Sequence, residues 1–369
     1  MRILYGVVGE GMGHAIRSRV VIDELVKRHD VQVVVSGRAH DYLAQRAGEH
    51  LQVRKIWGFT MVTEDNEVRN FRTLLSNVRG AIAGGWPRNV RAYFDIAQRF
   101  QPDVVISDFE SWSYLFAVNH RLPVISLDNV QMVNRCQHMP EIVRGHEADF
   151  QIAKGVVKTK VPRAFHYLIT TFFYPPVRKR RTTLHPPVLR AEILGARPEP
   201  GTHLLVYQTY TTNTELPRLL EKTGLECRVY GMRRDLREPV REGNLVYMPF
   251  SEQRLVDDLR TARAVVASGG FTLMSEAVYL RLPVLAEPVG KQFEQILNAR
   301  YLQSLGYGLC AEPIDERILK EFLERVPEFE SHLASYAQDG NHDLLAKLDE
   351  VLQAAVHGGE VEEEDPSVA

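Results

Sequence analysis

The chain has 369 residues, of which 44% are hydrophobic and 25% charged, with a formal net charge of −2. This length exceeds the size at which one hydrophobic core keeps growing, so two domains are expected. The ordinary composition excludes collagen-like, disulfide-rich and disordered proteins, and the apolar runs are too short for a transmembrane helix. The scattered Cys136, Cys227 and Cys310 form no metal-spaced cluster and are typical of a cytoplasmic protein.

The charges are distributed unevenly along the chain. Residues 1–200 carry 28 Lys and Arg against 19 Asp and Glu, whereas the remainder carries 17 against 28. The basic half predicts an anionic partner, although two solvated surfaces of opposite sign would give the same counts. The acidic end, EVEEEDPSVA (360–369), predicts a disordered tail over 358–369.

Short β-branched runs alternate with helical patterns in the N-terminal half, which predicts parallel βαβ units. The predicted strands are ILYGVV (3–8), VQVVVS (31–36), DVVISD (103–108) and LPVISLDN (122–129). Between the first two, apolar residues recur at helical spacing within 14–30. The first run leads into glycines and a histidine instead of a cleavage site, so we expect a strand rather than a signal peptide.

A glycine-rich loop, GVVGEGMGHAIRS (6–18), joins the first strand to this helix, so its amides are expected at the carboxyl end of the sheet. It is not a dinucleotide fingerprint, because His14 stands where the third glycine should follow Gly9 and Gly11. The second strand also ends without the acidic residue that binds ribose. An NADP site using Arg38 is a weaker alternative, and no cofactor is expected.

His14 stands where a catalytic group would face a cleft between two domains. A neutral imidazole can take a proton from an acceptor hydroxyl, and the neighbouring glycines open the backbone around it. Asp108 ends the third predicted strand at the same sheet edge and is expected to fix the tautomer of the imidazole, with Glu110 as a competitor. The structural alternatives are packing or helix capping for His14 and an N-cap for Asp108.

Basic and aromatic residues are interspersed between positions 57 and 91. The basic ones are Arg69, Arg72, Arg79, Arg88 and Arg91, and the apolar ones are Trp57, Phe59, Met61, Phe71 and Trp86. This mixture suits a lipid-linked acceptor and peripheral contact with an anionic membrane, at the inner face of the plasma membrane. An ordinary amphipathic region would look the same. No nucleic-acid-binding module is recognisable, so no nucleic-acid partner is expected.

Residues 175–200 are rich in proline and basic residues, which predicts a linker. Strands are expected again at HLLVYQ (203–208), LECRVYG (225–231), NLVYMPF (244–250), RAVVASGG (263–270) and LPVLAEP (282–288). The predicted fold class is therefore α/β, with two Rossmann-like domains facing across a cleft. The expected boundaries are 1–175 for the N-terminal domain, 176–200 for the linker, 201–340 for the C-terminal domain and 341–357 for a terminal helix.

A second glycine turn joins the strand RAVVAS to the helix that follows it. Gly269 and Gly270 let a diphosphate approach the backbone, and the helix N-terminus attracts its charge. Ser268, Thr272 and Ser275 add hydroxyl donors. Such a turn alone is common in α/β proteins.

Polar residues downstream favour a nucleotide-sugar site at this turn. Glu276 lies in the first turns of the helix, within reach of a ribose diol. The following loop and helix start bring Glu294, Gln295 and Asn298 to the same sheet edge. Carboxylates and amides suit a sugar because they accept from and donate to its hydroxyls. A polar helix start would give the same run.

The segment SGGFTLMSEAVYLRLPVLAEPVGKQFEQILNA (268–299) resembles the donor site of nucleotide-sugar glycosyltransferases of the two-Rossmann-domain (GT-B) class. The resemblance is to the group that contains the peptidoglycan lipid-intermediate N-acetylglucosaminyltransferase and the UDP-glucuronosyltransferases. It implies a C-terminal donor domain. The donor contacts it implies are Gly269, Gly270 and Thr272 for the diphosphate, Glu276 for the ribose, and Glu294 and Gln295 for the sugar. Besides the resemblance, we expect Ser268, Ser275, Asn298, Thr209 and Phe250 to contribute to donor binding.

The N-terminal loop GEGMGHAIRS (9–18) is similar to the acceptor loop of the same group. The resemblance implies that His14 is the base and Asp108 its partner. The acceptor loop would comprise Gly9, Gly11, Gly13 and Glu110. The chain departs from the pattern at Ser268, where plant-type members have His, and at Arg281, where others have Gly.

These features together predict an inverting, metal-independent hexosyltransferase that uses a nucleotide sugar, with UDP as the expected nucleotide. Its acceptor is a hydroxyl compound, with a lipid or a cell-envelope glycan precursor as the candidate. Helix dipole, amides and hydroxyls would stabilise the leaving diphosphate, and no metal site is expected. A nucleotide-sugar 2-epimerase of the same fold and a non-catalytic nucleotide-sugar-binding protein remain alternatives.

Overall fold

The computed structural model describes residues 1–9, 11–58, 63–64, 67–68, 85–208, 214–359 and 361. The predictions that fall outside these residues concern Thr209, Phe59, Met61, Arg69, Phe71, Arg72, Arg79 and, in the acidic tail, residues 360 and 362–369.

The N-terminal half is built on a parallel sheet. Its strands are β1 (Arg2–Val7), β2 (Asp30–Val35), β3 (Leu51–Lys55), β4 (Thr63–Glu64), β5 (Glu67–Val68), β6 (Val104–Asp108), β7 (Val124–Asp128), β8 (His166–Thr170) and β9 (Thr182–His185). Seven form the sheet in the order β3-β2-β1-β6-β7-β8-β9, while β4 pairs with β5. The central strands are almost wholly buried because helices cover both faces of the sheet, which explains their continuous apolar sequences.

Helices connect these strands. They are α1 (Met12–Leu25), α2 (Ala39–Ala44), α3 (Trp86–Asp95, continued by one π-helical turn at Ile96–Phe100), α4 (Ser111–His120), α5 (Met132–Arg135), α6 (Pro140–Val143), α7 (Glu147–Lys160) and α8 (Ala191–Leu194).

The C-terminal half repeats this architecture. Its strands are β10 (His203–Tyr207), β11 (Cys227–Tyr230), β12 (Val240–Glu242), β13 (Leu245–Met248), β14 (Ala262–Ala267), β15 (Val284–Ala286) and β16 (Gly308–Cys310). They form one sheet in the order β12-β13-β11-β10-β14-β15-β16, with β12 antiparallel to β13 and the other pairs parallel. The helices are α9 (Glu215–Glu221), α10 (Glu252–Arg260), α11 (Phe271–Tyr279), α12 (Phe293–Ser304), α13 (Glu316–Leu333) and α14 (His342–His357).

Two regular elements lie within the expected linker 176–200, the short helix α8 and a strand. Thr182–His185 forms β9, which pairs in parallel with β8 and extends the N-terminal sheet. The proline pairs 175–176 and 186–187 flank this strand without interrupting it, so its backbone donors stay available to the sheet. Segment 177–181 also pairs with the chain near Cys136. The prediction of a linker was therefore wrong for these residues, because a basic, proline-rich composition does not indicate an edge strand.

The last helix returns to the N-terminal half. Leu344, Leu348 and Val351 of α14 are buried in the same hydrophobic cluster as the apolar faces of β1 and β2. An ion pair and a hydrogen bond add to this contact, since Asp349 accepts from Arg28 and an Asp343 oxygen lies 2.6 Å from Nδ1 of the His185 ring. The chain therefore crosses between the two halves twice.

Aromatic stacking also holds the two halves together. Phe172 and Phe173 follow β8, and their rings stack on Phe271 at the start of α11 and on Tyr301 of α12, with centroids 5.9 and 4.1 Å apart. These contacts bury large apolar areas beside the glycine turn that opens α11. The α/β architecture with two Rossmann-like halves, expected from the sequence, is confirmed.

No helix within the described ranges is both long and apolar enough to cross a membrane.

Candidate active site

The carboxyl edge of the N-terminal sheet brings His14 and Asp108 together. Val7 at the end of β1 pairs with Asp108 at the end of β6. Gly11, with a φ of 79°, allows the chain to turn into α1 just before His14. The His14 Nδ1 atom then lies 2.7 Å from Asp108 Oδ1, with 18% of the His14 side chain exposed and none of Asp108. This is the geometry of an imidazole base held by a buried carboxylate.

Asp108 has a second partner that the sequence did not suggest. Arg17, one helical turn after His14, contacts both oxygens of Asp108, with its Nη2 atom 2.6 Å from Oδ1 and its Nε atom 3.3 Å from Oδ2. Ser18 donates to Oδ2 at 2.9 Å. Burial alone raises the pKa of Asp108, but the positive charge of Arg17 and the hydrogen bonds from His14 and Arg17 outweigh burial and lower it. Asp108 is therefore held as a carboxylate.

Glu110 caps a helix. Its side chain accepts hydrogen bonds from the backbone N–H groups of Trp112 and Ser113, at 2.8 and 2.7 Å, in the first turn of α4. Phe109 between the two acids has a φ of 56°, a left-handed conformation that separates their directions. Glu110 is therefore the N-cap of α4, and His14 pairs with Asp108 rather than with Glu110.

A further buried carboxylate lies on the neighbouring strand. Asp128 ends β7 and accepts from Ser126 Oγ at 2.9 Å and from the Gln131 backbone at 2.7 Å. Burial, together with the negative charge of Asp108, raises its pKa to about 6. Two buried acids with opposite pKa shifts therefore meet at one sheet edge, an arrangement typical of functional sites.

The second glycine turn has the close packing that glycine requires. A Cβ atom on Gly269 would lie 2.4 Å from the backbone oxygen of Gln295, so no side chain fits there. Gly270 is the N-cap residue of α11 and has open space around it. Ser268 and Thr272 are partly exposed, whereas the hydroxyl of Ser275 is buried without a hydrogen-bond partner among the described residues. The α11 N-terminus is thus open to an anion.

The two glycine loops face each other. A Cβ atom on Gly13 would lie 2.7 Å from Thr272 Oγ1, so the start of α1 directly contacts the start of α11. The structure therefore brings the predicted base loop and the predicted diphosphate turn to one place.

Glu276 is buried and paired with a residue from the predicted linker. Its two carboxylate oxygens accept from Arg190 Nε and Nη2, each at 2.8 Å, and both side chains are 2% exposed. Burial lowers the pKa of Arg190, but the charge and hydrogen bonds of Glu276 outweigh burial and raise it, so the guanidinium stays charged beside the carboxylate. A carboxylate has about four acceptor positions, so a ribose hydroxyl can still share it. Ribose binding by Glu276 stays a prediction.

The three downstream polar residues differ in their contacts. Glu294 is partly exposed and accepts from Asn129 Nδ2 at 2.6 Å. Gln295 accepts from the Val289 backbone at 3.0 Å, and buried Asn298 donates to the Gly269 carbonyl at 3.1 Å. Gln295 and Asn298 therefore shape the loop and the turn, while Glu294 faces the N-terminal half. Phe250 follows β13 and is 59% exposed. No described hydrogen bond joins it to this turn.

A cavity of about 570 Å³ opens near the carboxyl ends of β1 and β6. Its lining includes Val8, which directly follows β1, and Phe109, which directly follows Asp108. Its aromatic lining comprises Trp57, Trp86, Tyr93, Phe94, Phe109 and Trp112. Few polar side chains reach it, with Lys160 and Glu110 among them. A cavity of this kind suits an apolar molecule.

Three residues of this site, Arg17, Asn129 and Arg190, were not predicted from the sequence. Arg17 carried a signal, since it lies one turn from His14 on a helix face that otherwise packs inward. Asn129 follows β7, at the sheet edge where functional side chains collect. No sequence signal pointed to Arg190, because its partner Glu276 is distant in sequence. No cluster of three or more His, Cys, Asp or Glu side chains suited to a metal occurs in the described part of the chain.

Comparison with known proteins identifies the family. Residues 1–327 match the family described as Glycosyl transferase family 1. The chain belongs to glycosyl transferase family 1. A Methanosarcina acetivorans protein named as an uncharacterized glycosyltransferase is 22% identical over 371 aligned residues, covering 90% of this chain and 91% of the relative.

Solved structures share the fold of this glycosyltransferase. A UDP-glucosyltransferase from Polygonum tinctorium has a TM-score of 0.66 at 12% identity, covering 95% of this chain and 98% of that one. Phytolacca americana UGT2, complexed with UDP-2fluoro-glucose and pterostilbene, has a TM-score of 0.65 at 16% identity, with the same coverages. The fold is the GT-B architecture, as the sequence resemblance implied, and the family makes the protein a glycosyltransferase.

Proposed function

We propose that this glycosyltransferase transfers a sugar from a UDP-sugar to an acceptor hydroxyl with inversion, using His14 as the base. The observation that carries the proposal is the His14–Asp108 pair, 2.7 Å apart, at the point where Gly13 meets Thr272 of the donor turn. A base beside a diphosphate-binding turn is what direct displacement at an anomeric carbon requires.

The acceptor half of the reaction depends on the tautomer of His14. With its proton on Nδ1, the ring donates to Asp108 and leaves Nε2 free to accept the proton of the acceptor hydroxyl. That oxygen bonds to the anomeric carbon while the bond from this carbon to the diphosphate breaks. A single displacement inverts the configuration, and Asp108 stabilises the imidazolium that forms.

The donor half depends on the turn at Gly269 and Gly270. The α11 N-terminus and the Thr272 hydroxyl would stabilise the charge that develops on the leaving diphosphate. This supports a reaction that needs no divalent ion, so a chelator should leave the rate unchanged. Glu276 is assigned to the ribose and Glu294 to the transferred sugar. Neighbours crystallised with UDP or UDP-sugars support UDP as the nucleotide.

The aromatic cavity supports an acceptor with an apolar body, and a lipid-linked hydroxyl compound is the class that we favour. Trp86, Val90 and Phe94 of α3 are exposed beside this cavity, and Arg88 and Arg91 lie on the same helix. Apolar and basic side chains on one helix suit an anionic membrane surface. Co-sedimentation with anionic vesicles, and none with neutral ones, is the corresponding check.

Replacement of His14 tests the proposal. We expect His14→Ala to lower kcat/KM for transfer by about 10²- to 10⁴-fold, the contribution of a general base, without changing UDP affinity. Asp108→Asn should lower it too, because the amide can donate to Nδ1 and favour the wrong tautomer. Full activity in His14→Ala would contradict the assignment. An isomerised UDP-sugar without a transferred product would indicate the epimerase instead.

A further inference from the structure

A chain of hydrogen bonds connects the base pair to the donor domain. Arg17 contacts Asp108 through two nitrogens, and its third, Nη1, donates to Asn129 Oδ1 at 2.7 Å. Asn129 then donates through Nδ2 to Glu294 Oε1 at 2.6 Å. Arg17 is 3% exposed and Asn129 6% exposed, so water competes little with these bonds.

The direction of each bond in this chain is determined by the chemistry of its members. A guanidinium only donates and an ionised carboxylate only accepts, so the Asn129 amide must turn its oxygen to Arg17 and its nitrogen to Glu294. Asn129 cannot rotate without losing both bonds. Asn129 therefore joins Glu294 to the guanidinium of Arg17 in one orientation.

Arg17 also meets the imidazole itself. Its Nη2 atom lies 2.9 Å from His14 Nδ1, and both atoms lie within 2.7 Å of Asp108 Oδ1. If the His14 proton is on Nδ1, both groups donate to this one oxygen. If the proton moves to Nε2, Nδ1 accepts from Arg17 instead, and the ring can no longer act as a base. The position of Arg17 thus bears directly on the tautomer.

We propose that Arg17 is a positioning residue and that the Arg17–Asn129 relay couples the tautomer of His14 to the position of Glu294. This inference rests on the proposed function, in which His14 is the base and Glu294 contacts the sugar. When Glu294 accepts from Asn129, the relay holds His14 with its proton on Nδ1, the tautomer in which Nε2 can act as the base. Glu294 keeps a second carboxylate oxygen for a sugar hydroxyl, so the donor can bind without breaking the relay.

The tautomer of His14 can be measured in the free protein by ¹⁵N NMR of the histidine rings, with His14→Gln to assign the signal. We expect Glu294→Ala to shift the His14 ring signals. Asn129→Ala should shift these signals as well, and in that background Glu294→Ala should have no further effect. Glu294→Gln, whose amide oxygen still accepts from Asn129, should restore the wild-type signals. An unchanged His14 signal in Glu294→Ala would overturn the relay.

Two matched controls separate the relay from general damage. Asn134→Ala removes another buried asparagine from the same region, but Asn134 accepts from Lys179 and has no bond to Arg17. Arg19→Lys weakens a different contact between the two halves, to Glu252. Neither substitution should shift the His14 signals. A shift as large as that of Asn129→Ala would overturn the proposal.

Kinetics provide the second readout. We expect Asn129→Ala to lower kcat by about 10- to 100-fold, the range for one hydrogen bond to a charged group, while KM for the donor changes little. A kcat equal to that of wild type would overturn the positioning role even if the NMR coupling were present. The NMR arm needs no substrate. Absence of any transfer by the wild-type protein would therefore contradict the proposed function and leave the relay to be decided by NMR.

Discussion

Asp108 accepts hydrogen bonds from three side chains, those of His14, Arg17 and Ser18, while it is fully buried. A fully buried carboxylate ionises only if nearby positive charge and hydrogen bonds offset the cost of burial. Arg17 makes the largest of these contributions. His14 and Asp108 could be predicted from sequence because parallel strands end at one edge of the sheet. The pairing of Arg17 with Asp108 was not predicted, although Arg17 lies one helical turn from His14, because charged residues on helices usually face solvent.

Asp128 gives a pH-dependent prediction at the residue scale. Burial raises its pKa to about 6, whereas in an unfolded chain it titrates near 3.9. The folded state therefore binds this proton more tightly, and the resulting stability is lost as pH rises from about 4 to about 6. Asp128→Asn keeps the shape without the charge, so it should stabilise the protein by about 3 kcal/mol at pH 8 and about half of that at pH 5.

Urea unfolding at the two pH values measures this difference. Asp235→Asn is a suitable control, because Asp235 is exposed in the C-terminal half, and it should change the free energy of unfolding at neither pH. Equal stabilisation by Asp128→Asn at both pH values would contradict the account of Asp128.

At the scale of elements, two helix starts form the site. α1 and α11 begin with glycine loops, and Gly13 and Gly269 leave no room for a side chain. The sequence identified both loops because strand–glycine–helix patterns are local. It misjudged the segment after residue 175, where proline pairs suggested a linker and the chain instead forms β9. Only the partner strand β8 makes that edge strand favourable, and pairing over distance is not visible in local composition.

The Arg190–Glu276 pair is the element-scale prediction. Both side chains are buried, so loss of one partner leaves an uncompensated charge. Glu276→Gln should therefore lower the free energy of unfolding by about 3–5 kcal/mol. The double variant Glu276→Gln with Arg190→Met removes both charges and should recover most of that loss.

Denaturant unfolding of the two single variants and the double variant completes this cycle. Additive losses would show that the two residues do not depend on each other, contrary to the geometry. If Glu276 also binds ribose, UDP affinity should fall in Glu276→Gln and should not recover in the double variant.

At the scale of the whole molecule, the site exists only because two similar halves face each other. Phe172 and Phe173 stack against the C-terminal half, and α14 crosses back to the N-terminal sheet. The α/β class and the two-domain arrangement followed from the alternation of strands and helices. The contacts between the halves, from Asn129 to Glu294 and from Gly13 to Thr272, could not be predicted, because they depend on how two domains pack.

The most direct test of the central claim is acceptor-dependent release of UDP from a panel of UDP-sugars, with the product identified by mass spectrometry and NMR. Two acceptors with the same hydroxyl headgroup are compared, one with and one without an apolar tail. The account predicts UDP release with at least one donor, a product of inverted anomeric configuration, and a marked preference for the acceptor with the tail. Retained configuration, or transfer that is unchanged in His14→Ala, would contradict it.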